Sequence, residues 1–163
     1  KSAAWFASAL YLGALYADAK PEAAERVYEF GLVYGQIMQI HDDLNDVLAT
    51  PANVDWTSGR YPLPILFAEL VDHPEQKRFI ELRREAEDPA ALEAAQSILV
   101  SSGAISYSVN ELMLRHQRAT QLLVAMQAPK PSPLETLLAE VIEPVEHLFA
   151  TVGGELQALP AAS

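Results

Sequence analysis

Apolar residues recur three and four apart along almost the whole chain, and no stretch alternates apolar with polar between turn dipeptides as strands require. That period confines the chain to an all-α fold. It predicts helices at about Ser2 to Asp18, Glu22 to Leu48, Leu63 to Val71, Pro74 to Glu85, Pro89 to Val100, Ala104 to Met126 and Ser132 to Thr151. The prolines, glycine and small polar residues from Ala49 to Pro62 mark a connecting loop. With 163 residues, 50% of them hydrophobic, the chain can build one domain with a sizeable core. No internal repeat or low-complexity linker divides it.

Charge and composition exclude several classes. The formal net charge is −11. The densest basic run, "KRFIELRR" from Lys77 to Arg84, is interleaved with Glu81 and followed by Glu85 and Glu87, which reads as a solvated helix face and not as a nucleic-acid stripe. Without cysteine there is no disulfide or thiolate metal site. The longest apolar stretch, Ala3 to Ala17, falls short of the roughly 20 residues that cross a bilayer, and no basic leader precedes it. A soluble, cytoplasmic protein with no membrane span is expected. The first residue is Lys1 and it opens straight into an apolar helical pattern, so the chain is expected to be a piece of a longer protein.

The second helix ends in a way that its own propensity does not explain. In "QIMQIHDDLNDV", Gln36 to Val47, the carboxylates Asp42, Asp43 and Asp46 follow an apolar run. At about 100° per residue with Gln39 at zero, Asp42 falls at about 300°, Asp43 at about 40°, Asp46 at about 340° and Gly35 at about 320°. Ile37, Ile40, Leu44 and Val47 occupy the opposite side, so the helix can pack on its back while a polar stripe faces a space that Gly35 leaves open. Carboxylates near a helix C-terminus oppose the macrodipole by roughly 0.3–1 kcal/mol each. Two readings follow: a solvated helix end running into a loop, or a divalent-cation site. Hard Mg²⁺ takes carboxylate oxygens and shares its remaining positions with water and substrate phosphates, which suits three carboxylates with an amide one turn earlier. Zinc fits less well, because His41 at about 200° points away from the stripe.

"GQIMQIHDDLND", Gly35 to Asp46, resembles the second aspartate-rich motif of the trans-isoprenyl diphosphate synthases (Gly-x-x-Phe-Gln-x-x-Asp-Asp-x-x-Asp), with Met38 in place of the phenylalanine. "KSA" at Lys1 to Ala3 is similar to that family's Lys-Thr-Ala. "DWTSGRYPLPILFA", Asp55 to Ala68, resembles its Asp-x-x-x-Gly-Lys-x-Thr-Leu-Pro segment, with Arg60 for the lysine and Pro62 for the threonine. Ser102 to Leu123 is like the helix that follows. The resemblance implies an antiparallel helical bundle around a deep cavity, of which residues 1–163 would be the C-terminal part of a single isoprenoid synthase domain. It also implies a Mg²⁺-dependent prenyltransferase that ionises an allylic diphosphate and condenses it with isopentenyl diphosphate to a linear product. On this resemblance Asp42, Asp43 and Asp46 are metal ligands, while Lys1, Ser2, Gln39 and Arg60 contact the substrate diphosphate. Lys1, Gln39, Asp42 and Asp43 form its catalytic set, and a homodimer is expected.

Departures from the family pattern set further expectations. The first aspartate-rich motif and the arginines that hold isopentenyl diphosphate are not in this chain, so the upstream half of the enzyme is an expected partner and the isolated piece is expected to be inactive. The loop after Asp46 is short and lacks an extra Gly-Lys, and the C-terminal "EHLFATVGGELQALPAAS" lacks a basic ending. Transfer to another acceptor, terpene cyclisation and a non-catalytic regulatory subunit therefore stay open as alternatives. Elsewhere, Gly31 and Gly35 suggest close helix packing. Trp5, Phe6 and Tyr11 read as core or cavity lining, and Trp56 as either a loop cover or a shield over the site.

Overall fold

A computed structural model of the chain describes residues 2–127 and 133–142, with Ser2 described by its backbone alone. Regular structure among the described residues is entirely helical: α1 (Ser2–Tyr16), α2 (Pro21–Leu48), a 3₁₀ turn (Val54–Trp56), α3 (Leu63–Leu70), α4 (Gln76–Arg84), α5 (Pro89–Ser101) and α6 (Ala104–Met126). Residues 133–142 are helical as well. The rest of the helix expected from Ser132 to Thr151 lies outside the described residues. No helix among them is long and apolar enough to cross a membrane.

Local chemistry explains the boundaries. Asp18 takes the left-handed conformation (φ 54°), and the amides of Ala17 and Ala19 turn back to the carbonyls of Gly13 and Ala14, each at 3.1 Å. This ends α1 two residues before the expected Asp18. Pro21 opens α2, where a missing N–H costs nothing. Asp88 caps α5 by accepting from the Ala91 amide at 3.0 Å, and Gly103, at φ 83°, supplies the left-handed residue between α5 and α6.

The chain divides into two compact units, with α2 and α6 each contributing to both. The unit of Ala3–Gly35 and the described residues from His116 onward packs α1 against the middle of α2 at very short range. A Cβ on Gly31 would stand 2.6 Å from the Ala7 Cα, and one on Gly35 2.5 Å from the Ala3 Cα. The close packing read from these glycines is therefore present. The open space expected beside Gly35 is not, because the α1 backbone occupies it. Phe6 meets Tyr34 edge-on at 5.3 Å, and Arg118 pairs with Glu29. Trp5, read as core or cavity lining, is 68% exposed and so is not core within these residues, and Leu12 and Tyr16 are exposed as well.

The second unit, Gln36–Arg115, has its core between α3, α4, α5 and the end of α2. Val47, Trp56, Ile65, Phe79, Leu92 and Leu99 form its centre. Trp56 is 1% exposed, so it belongs to the core. Within the run read as a solvated face, α4 turns Phe79 and Arg83 inward, one helical turn apart.

Gly31→Ala and Gly35→Ala should each destabilise the protein by about 1–3 kcal/mol, since the neighbour is backbone and cannot swing aside. Gly13→Ala meets nothing within 4 Å. It should leave stability unchanged or raise it by up to ~1 kcal/mol. Urea unfolding of the three variants checks the contrast.

Candidate functional site

The stripe predicted at the end of α2 exists, and two of its carboxylates are tied to the loop that follows. Gln39 Nε2 donates to Asp43 Oδ1 at 2.9 Å, as expected for residues one turn apart on one face. Asp43 Oδ2 accepts from the backbone amide of Leu63 at 2.8 Å. Leu63 is the first residue of α3, whose N-cap, Pro62, offers no side-chain hydrogen bond. The charge at the unfavourable end of α2 thus sits at the favourable end of α3, where the macrodipole and an orphan N–H both welcome it.

Asp46 accepts from Asn53 Nδ2 at 2.6 Å, and Asn53 Oδ1 in turn accepts from the Asp55 amide at 3.1 Å, capping the 3₁₀ turn. Asp55 pairs with Arg60 at 3.3 Å. Burial raises the Asp46 pKa first, and the charges of Asp55, Asp42 and Asp43 raise it further, against the lowering effect of Asn53. Four carboxylates are thus close enough to feel one another. Asp42 is different. Its side chain is 61% exposed, its partner among the described residues is His41 Nδ1 at 3.8 Å, and His41 is itself engaged by Asn45 at 3.3 Å.

Beside the stripe lies an open depression of about 260 Å³ lined by Gln36, Gln39, Asp43, Tyr61, Leu63 and Arg115, among others. Arg115 reaches Gln36 at 3.2 Å and Glu111 at 2.6 Å. Sequence reasoning missed Arg115, although the Glu111/Arg115 spacing of four residues was visible. It also missed Asn53, and it took Asp55 only as part of a motif. Arg60 does not line the depression. Its side chain is 73% exposed and is carried by the loop, where Gly59, at φ 74°, makes the turn. Lys1 and the side chain of Ser2 lie outside the described residues.

Among the described residues no group of three or more His, Cys, Asp or Glu is gathered as a ready-made metal cage. The donor set instead suits a hard cation shared with a ligand. Like charges surround Asp46, Asp42 is mostly exposed, and Mg²⁺ is usually bound by one or two carboxylates plus waters and phosphate oxygens.

Asp46→Asn keeps the acceptor for Asn53 and removes a charge whose pKa is raised from 3.8 in the folded state. Below 3.8 both states hold the proton and the variant should match the wild type. As pH rises through the higher folded-state value, the wild type loses stability that the variant keeps. Thermal melts across the acid range should therefore show Asp46→Asn more stable at neutral pH, with the gain fading on acidification.

A sequence profile of the polyprenyl synthetase family matches residues 1–99. A prenyl transferase of Synechocystis is 31% identical over 83% of this chain and 43% of its own length. A geranylfarnesyl diphosphate synthase of Aeropyrum pernix is 27% identical over 90% of this chain and 48% of its own. The crystal structure of geranylgeranyl pyrophosphate synthase from Corynebacterium glutamicum, complexed with calcium and isoprenyl diphosphate, superposes with a TM-score of 0.75 at 28% identity, covering 90% of this chain and 47% of that one. The chain spans less than half the length of each of these relatives. With the profile covering more than half of its residues, the chain belongs to the polyprenyl synthetase family.

Proposed function

We propose that this chain supplies the second half of a Mg²⁺-dependent prenyltransferase site, one that ionises an allylic diphosphate and condenses it with isopentenyl diphosphate to a linear isoprenyl diphosphate. One observation carries the reading. Asp42 stands exposed in the like-charged stripe, and among the described residues its contact is His41 Nδ1 at 3.8 Å, too long for a hydrogen bond, so a bound cation would account for its charge. Asp43 and Asp46 add oxygens whose mutual repulsion a divalent cation would relieve. Magnesium, when bound, would neutralise the charge that develops on the departing diphosphate.

The chain's own residues supply binding and orientation. Gln39 fixes the Asp43 carboxylate through its amide. Arg60 presents a planar fork suited to bidentate capture of phosphate oxygens, where the family uses lysine. Lys1 and Ser2 are assigned diphosphate contacts by their match to the family motif. The remainder of the cavity, and the site for isopentenyl diphosphate, would come from an upstream half. The exposed Trp5, Leu12 and Tyr16 on α1 suit cover by further protein. The isolated piece is catalytically silent on this reading, and the complete enzyme is a cytoplasmic homodimer.

Titration calorimetry with pyrophosphate, with and without Mg²⁺, separates the roles of the two neighbouring aspartates. Asp42→Ala should lower magnesium-dependent pyrophosphate affinity at least about tenfold while changing stability by less than about 0.5 kcal/mol. Asp43→Ala should lose the affinity and also about 1 kcal/mol of stability, because α3 loses its cap. Unchanged binding in Asp42→Ala would refute the assignment.

Arg60→Ala should weaken magnesium pyrophosphate about tenfold or more with little effect on the melt, since the side chain is mostly exposed. Binding equal to wild type would leave Arg60 as loop decoration.

A further inference from the structure

Resting on that reading of the site, we infer that Arg83 is a positioning residue that holds the diphosphate-binding loop in its working shape. Its side chain is 9% exposed. It spends its donors on both ends of the turn that carries Arg60: Nε donates to the Trp56 carbonyl at 3.1 Å and Nη2 to the Arg60 carbonyl at 2.6 Å. Nη1 meets Glu69 Oε1 at 2.5 Å, which supplies the counter-charge that a buried cation needs. Its Cζ lies 4.6 Å from the centre of the Tyr61 ring.

These contacts define a device. Residues 56–60 reverse direction at Gly59, and one planar group grips the carbonyls at both ends of that reversal. Arg60 has a mostly exposed side chain in an ion pair with Asp55 at 3.3 Å, so its reach toward a ligand is set by where its backbone is held. Tyr61 lies against Arg83 and also lines the depression shared by Gln39 and Asp43. The three donors of an ammonium diverge from one nitrogen and cannot reproduce bonds made from three nitrogens of one plane that also lies against a ring, so lysine is not an equivalent here.

The test is a double-mutant cycle on magnesium pyrophosphate affinity, comparing Arg83→Lys, Arg60→Ala and the pair. Arg83→Lys should weaken binding about tenfold. In the Arg60→Ala background it should weaken binding no further, while its effect on the melting temperature stays the same in both backgrounds. Amide exchange at Trp56, Thr57 and Ser58, which bond back to Asn53 and Val54, should quicken in Arg83→Lys. If Arg83→Lys does not fold, Glu69→Gln carries the same cycle, because it loosens the guanidinium without removing it. Losses that multiply, or wild-type affinity in Arg83→Lys, overturn the role of Arg83 alone. The cycle is run on this chain joined to its upstream half, and a wild-type complete enzyme that binds no magnesium pyrophosphate overturns the site reading and this inference with it.

Discussion

The hydrogen bond from the Leu63 amide to Asp43 places one carboxylate at the C-terminal end of α2 and the N-terminal end of α3 at once. Taken on α2 alone, the charge is destabilising, by roughly 0.3–1 kcal/mol. At α3 it satisfies an orphan N–H that Pro62 cannot serve. The intervening loop is then held at its other end by Asp46 through Asn53, so the acidic stripe serves as the anchor for the segment that carries Asp55 and Arg60. On the proposed reading, function and fold are superposed on the same residues here, and Asp42 is where they separate.

This arrangement gives the loop two layers of control. Acidic residues of α2 hold its ends, and a buried cation of α4 grips its middle through backbone carbonyls. Backbone contacts fix where side chains start without consuming them, so on the proposed reading Arg60 would exchange Asp55 for a phosphate oxygen.

The parts that were legible in the sequence were those set by one helix at a time. The 100° period put Gln39, Asp42, Asp43 and Asp46 on one face, and the Gln39 to Asp43 bond follows from it. What escaped depended on partners far along the chain. Leu63 is twenty residues from Asp43, and nothing in Asp43 itself announces that it caps another helix. Gly35 signalled a missing Cβ, but only the structure shows the Ala3 backbone filling the gap. Arg83 was concealed by its charged neighbours in "KRFIELRR", although its place one turn from Phe79 already put it on the buried stripe. Trp5 is not in the core of this chain: an apolar helix face says what must be covered, not what covers it.

The central claim is that the end of α2 and the loop pinned to it form one metal-dependent diphosphate site. On a chain of net charge −11, cations will also gather without specificity, so the decisive measurement must be local. Substituting Mn²⁺ for Mg²⁺ and following paramagnetic broadening of assigned amide signals provides it. With pyrophosphate present, broadening should concentrate on Gln39–Asp46 and Asn53–Arg60 and should vanish in Asp42→Ala. Broadening spread over the acidic surface, identical with and without pyrophosphate and unaffected by the substitution, would contradict the claim.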